Sequence, residues 1–109
     1  MNNKLTRPVT DEEIRIFQED GVVCLRGFFD MDWIERLRDL IEEDMANPSG
    51  MVKSIDAKDA SGFFFGDTFV CHHLDGFKDA VFNSPAPEIA ASVLKADKVN
   101  LLFDQILVK

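Results

Sequence analysis

The chain has 109 residues, 46% hydrophobic and 29% charged, with a formal net charge of -8, which bounds it to one domain and excludes wholesale disorder. No apolar run approaches the roughly 18 residues of a membrane span, no signal core follows Met1, and twenty acids against twelve bases repel a phosphate backbone, so neither a membrane nor nucleic acid is an expected partner. Two cysteines, Cys24 and Cys71, are too few for a disulfide framework or a zinc ribbon, and the expectation is a soluble, cytoplasmic, acidic domain.

A first helix is predicted from Thr10, because Thr10-Asp11-Glu12-Glu13 is a capping box with acids at the positive end of the helix dipole. Gly21 is its expected left-handed terminator. Val22 to Leu25 is short and β-branched, and reads as a buried strand ended by Gly27. Asp30 is the next N-cap. It opens the longest helix, with Trp33, Ile34, Leu37, Leu40 and Ile41 on one face, an Asp32–Arg36 pair, and a stop at Asn47-Pro48. Residues 47–62, rich in Asn, Ser, Gly, Asp and Lys, read as a loop. Phe63 to Cys71 reads as extended. Gly76 to Asn83 reads as a third helix, with Phe77, Ala80 and Val81 inward and Asp75 as its cap. Ser84-Pro85 opens a fourth, with Ile89, Ala90, Val93 and Leu94 as its apolar face. Val99 to Val108, apolar on both faces, reads as an interior strand. Helices and short strands alternate without a βαβ rhythm, so the expected class is α+β in a single domain spanning 1–109. The last apolar run is followed by Lys109 alone, so the expected domain stops in mid-strand.

His72-His73-Leu74-Asp75 contains His-x-Asp, part of the two-histidine, one-carboxylate pattern of non-haem iron sites. On an extended segment His73 and Asp75 would share a face. The pattern needs a second histidine downstream, however, and no histidine follows Asp75. A polar turn into the third helix is therefore the preferred reading. The acids Asp30, Asp32, Glu35, Asp39, Glu42, Glu43 and Asp44 recur at helical rather than calcium-loop spacing, and read as a solvated helix face. Phe63 to Phe65 reads as core. Cys24 and Cys71 both lie in apolar sequence and read as buried, inert thiols. Asp104 and Gln105 interrupt an apolar strand, where a buried polar group needs a partner. Gln105, Leu107 and Lys109 share a face by period two, and a lysine at such a position is suited to gripping a ligand carboxylate.

The order of segments is similar to one family. Leu5 to Leu25, with Thr10-Asp11-Glu12-Glu13-Ile14, Phe17 and Glu19-Asp20-Gly21-Val22-Val23, resembles the opening of the phytanoyl-CoA dioxygenases. So do Arg26 to Asp30, Ile34 to Arg38, Asn83-Ser84-Pro85 with Glu88 to Ala91, and most strongly Val99 to Lys109. The resemblance implies the N-terminal helices and first strands of a double-stranded β-helix (jelly-roll) fold, in an oxygenase that uses Fe(II) and 2-oxoglutarate on a small organic substrate. It implies that Lys109 contacts 2-oxoglutarate, and it leaves Gln105 as a pocket residue. The family's iron-binding His-x-Asp and later histidine fall beyond Lys109, and His73-Leu74-Asp75 lies upstream of them. The resemblance thus assigns this chain no catalytic or metal-ligating residue, and the chain is expected to be inactive as it stands. An apolar last strand left unpaired on one side is expected to drive self-association. Two readings compete with this one: a stand-alone acidic interaction module without enzymatic activity, and a small metal-binding protein using His72, His73 and Asp75.

Overall fold

A computed structural model describes residues 1–56 and 62–109. It is α+β, with four α-helices and one three-stranded antiparallel sheet. The helices are α1 (Asp11–Asp20), α2 (Met31–Ala46), α3 (Asp75–Asn83) and α4 (Ala86–Leu94). The strands are β1 (Lys53–Asp56), β2 (Phe63–Thr68) and β3 (Gln105–Val108), in the order β1-β2-β3. Among the described residues, no helix is long and apolar enough to cross a membrane.

The capping box of α1 forms as its sequence dictates. The Thr10 hydroxyl accepts the Glu13 amide at 3.1 Å, and the Glu13 carboxylate accepts the Thr10 amide at 2.9 Å. Arg7 adds a two-pronged bond to the same carboxylate (2.9 and 2.7 Å) while its guanidinium lies 4.3 Å from the centre of the Phe28 ring. Gly21 closes the helix at φ 75°, its amide donating to the Phe17 carbonyl at 2.8 Å.

The buried strand expected at Val22 to Leu25 is absent: the segment belongs to no sheet, and Val22 is 68% exposed. β-Branched residues favour extended backbone, but a strand exists only where a neighbour pairs with it. Here the carbonyls that follow are taken by side chains instead. Thr6 donates to Gly27, Arg7 to Arg26 and Asn2 to Phe28.

In α2, Asp30 caps the Trp33 amide at 3.0 Å, and the buried indole donates to the Asn2 carbonyl at 2.6 Å. Asp32 lies 3.5 Å from the N-terminal ammonium, and the ion pair on this helix joins Glu35 to Arg38 rather than Asp32 to Arg36. Leu40 meets Val70, Cys71 and Phe77 in the main core, bordered by Leu37, Ile41, Leu74, Val81 and Ile106. A Cβ on Gly76 would fall 2.5 Å from a Leu40 methyl, so this glycine sets how closely α3 approaches α2.

The loop expected over 47–62 contains β1, and its part at 57–61 lies outside the described residues. The extended segment expected to reach Cys71 ends at Thr68. Phe69 turns left-handed (φ 59°) into a short 3-10 helix at Val70–His72. Asp75 is the first residue of α3 rather than its cap. Ser84 stands one residue ahead of the α4 cap position, where its hydroxyl donates to the Ala80 carbonyl and accepts the Ala86 amide. Gln18 of α1 ties the two ends of the helical layer together by donating to the Val93 carbonyl at 2.7 Å.

The interior strand expected from Val99 is an edge strand of four residues, with Leu101, Leu102 and Phe103 exposed ahead of it. An apolar run promises burial on both faces only if a second layer covers it. In the described residues β3 has β2 on one side and no strand on the other. What anchors its start is Asp104, whose carbonyl accepts the Phe69 amide at 2.8 Å and whose carboxylate accepts the Cys71 amide at 2.9 Å.

Candidate functional site

Gln105 and Leu107 lie on the exposed side of β3, and Lys109, one residue past the strand's end at Val108, is exposed as well. The Gln105 amide donates to the Thr68 hydroxyl at 3.2 Å. The residues of His72-His73-Leu74-Asp75 do not share a strand face, because they fall at the junction of the 3-10 helix and α3. His72 is exposed, its ring 6.2 Å from that of Phe69, while Asp75 faces solvent. Among the described residues, no three His, Cys, Asp or Glu side chains gather as metal ligands would. His73 is engaged elsewhere, its ring nitrogen bonding the Asn47 carbonyl. The two cysteines part company. Cys24 is exposed, contrary to its apolar sequence context, because the strand expected to bury it does not form. Cys71 is buried, and burial followed by the neighbouring Asp104 carboxylate pushes its thiol upward from the ordinary range.

The structure instead assembles a group of titratable side chains around Asp44. In the acidic run of α2 this residue reads as solvated, yet it is 0% exposed, as is Asp67 in the middle of β2. The reason is geometric. Trp33, Leu37 and Leu40 form the inward stripe of α2, and Asp44 follows Leu40 by four residues. Helical spacing therefore turns it inward, over the sheet. The spacing from Trp33 was the available sequence signal; the abundance of flanking acids masked it.

The two carboxyls have different surroundings. Asp67 accepts the Ser49 amide at 2.7 Å, the Ser49 hydroxyl, and the Thr68 amide at 2.9 Å. Burial pushes it upward, but these donors and Asp44 outweigh burial and hold Asp67 below the usual carboxylate range. With both carboxyls ionised, neither Asp44 oxygen has a donor. Burial first, then Asp67, raises Asp44 to about 6, with Asp104 adding to the rise and His73 opposing it. The imidazole Nε2 is 4.0 Å from the nearer Asp44 oxygen but only 2.6 Å from the Asn47 carbonyl. A carbonyl can only accept, so Nε2 carries a proton and directs it at Asn47. His73 therefore gives Asp44 no hydrogen bond, and both Asp44 oxygens are buried without a donor.

His73 separates two surface depressions. One, of about 350 Å³, has Arg36, Glu43 and Asp75 on its walls, and the other, of about 210 Å³, has Ser49, Met51 and Phe69. Neither includes Gln105 or Lys109, whereas His72, His73 and Asp75 of the sequence motif line them. Comparison with protein-family models, with curated proteins and with solved structures returns no match to this chain.

Proposed function

We propose that this chain is the N-terminal portion of an Fe(II)- and 2-oxoglutarate-dependent oxygenase of the phytanoyl-CoA dioxygenase type, acting in complete form on a small organic substrate. The resemblance of Val99 to Lys109 supplies the family. The observation that carries the reading is the placement of Gln105 and Leu107 on one exposed side of β3, with Lys109 exposed just past the strand's end, in a small antiparallel sheet with helices packed beside it. In that setting the Lys109 ammonium is free to meet a carboxylate of 2-oxoglutarate. The iron would come with ligands from elsewhere in the enzyme, and the jelly roll would be completed by further strands beside β3.

Two measurements test this. The coding frame after codon 109 should continue into a His-x-Asp and, later, a second histidine; an immediate stop codon would sink the proposal for this gene product. The 109-residue chain should also release no carbon dioxide from 2-oxoglutarate in the presence of Fe(II). Iron-dependent turnover by the chain alone would contradict the assignment of its ligands to positions beyond Lys109.

A second reading has its own observation. Phe69, Leu101, Leu102, Phe103 and Leu107 are large apolar side chains exposed around the sheet edge, with Leu102 85% exposed. Singly exposed apolar residues are ordinary, but a group beside an open strand edge is suited to association. In this reading the chain is an interaction module, or pairs with itself through β3.

A further inference from the structure

We propose that the buried Asp44–Asp67 pair binds one proton, and that this proton clasps the C-terminal turn of α2 and the Asn47–Ser49 segment against β2, making a pH-sensitive latch. The proposal is independent of the oxygenase reading. Its basis is the convergence of three chain segments on two carboxyls that are both 0% exposed. Asp44 comes from the last turns of α2, where the negative end of the helix dipole further disfavours a charge. Asp67 comes from β2 and holds Ser49 through its amide and hydroxyl. His73, from the turn after the 3-10 helix, holds the Asn47 carbonyl.

The titratable groups facing Asp44 are Asp67 from β2, Asp104 from the segment entering β3, and His73. On α2 itself Glu43 is exposed, and on α3 Asp75 and Lys78 are exposed, so none of these supplies a buried countercharge. A lone proton between the two carboxyls turns mutual repulsion into a hydrogen bond. Loss of that proton leaves two buried anions side by side, a state relieved by letting water in between α2 and β2. The Asn47–Ser49 segment is the place for this to occur, because it is pinned by Asp67 and His73 and borders the depression containing Met51 and Phe69.

The sign of the pH dependence follows from which state holds the proton. In the folded chain Asp44 binds its proton up to about 6, against 3.8 for a free aspartate. The stabilisation is complete below the unfolded value and is lost as pH rises through the folded one. The groups held below their ordinary values, Asp67, Asp30, Glu12 and Glu13, act only at lower pH. The window between about pH 5 and pH 8 is therefore Asp44's to dominate, with a fall in the folding equilibrium constant on the order of tenfold.

Urea denaturation of the chain across that window, for wild type, Asp44→Asn and His73→Gln, tests the latch. Wild type should lose stability as pH rises, Asp44→Asn should be level and more stable than wild type at the alkaline end, and His73→Gln should keep the slope. A slope that survives Asp44→Asn, or vanishes in His73→Gln, overturns the proposal. Carboxyl carbon NMR of wild type needs no variant: an Asp44 signal that titrates in the ordinary aspartate range also overturns it. Added calcium or magnesium at the alkaline end should leave wild type unchanged. Stabilisation by either ion that disappears in Asp44→Asn would mean the pair holds a metal rather than a proton.

Discussion

Thr10→Ala removes one side of the capping box and should lower stability by about 1 kcal/mol, read from the urea midpoint. The same cap has a pH signature. The Arg7 bond, with the Thr10 amide, holds Glu13 down at about 2. A depressed carboxyl stabilises the fold above its unfolded value and loses that contribution as pH falls through the folded one. Arg7→Ala should therefore flatten acid unfolding below about pH 4.5 while leaving the neutral-to-alkaline slope assigned to Asp44 intact. Thr10 and Glu13 are legible in sequence because their bonds are local, three residues apart. Asp44 is not, because its burial depends on Asp67, twenty-three residues away on another element. The helical spacing that turns Asp44 inward is local, but nothing local says that a sheet waits there.

At the scale of elements, all four expected helices form, while of the expected extended segments those from Phe63 and Val99 form only in part and that at Val22 to Leu25 does not form. α1 and α2 begin at the side-chain caps their sequence announces, Thr10 and Asp30, whereas α3 and α4 start after Leu74 and Pro85 without one. Val22 to Leu25 and Val99 to Phe103 carry strand-like composition but find no ladder. Gly76 shows how one element fits another. It lies in the first turn of α3, where alanine would improve helix propensity by up to about 1 kcal/mol. Its Cβ, however, would sit 2.5 and 2.7 Å from the two methyl carbons of Leu40, which is 1% exposed and has no room to turn. Overpacking of this kind costs about 1–3 kcal/mol, so Gly76→Ala should be net destabilising. Leu40→Val in the same chain should recover part of that loss, and a double-mutant cycle measures the coupling.

Across the whole molecule, apolar surface is incompletely covered. The radius of gyration is 15.9 Å, against about 13 Å for a compact domain of this length. Burial is divided between the Phe28–Trp33 region, where Asn2 pins the chain start, and the Leu40–Phe77 core. Among the exposed apolar residues, Phe69, Leu101, Leu102, Phe103 and Leu107 lie by β3. If the chain pairs through that edge, as the second functional reading has it, sedimentation should show concentration-dependent association that Leu107→Lys abolishes. A monomer at all concentrations would remove this reading of the edge. Lysine is the apt probe because a charge on an edge strand opposes pairing with another chain.

By itself the amino-acid sequence determined the α+β class, the helix boundaries at Thr10, Gly21, Asp30 and Asn47, the inward face of α2 and the alternation from Gln105 to Val108, because caps, turns and periodicities act over a few residues. Only the tertiary structure decided which apolar runs became strands, that Cys24 is exposed while Cys71 is buried, that His73 faces Asn47 rather than Asp75, and that Asp44 meets Asp67. Each of these depends on what lies across a gap from a segment remote in the chain, and a residue's own neighbours in sequence do not specify its neighbours in space.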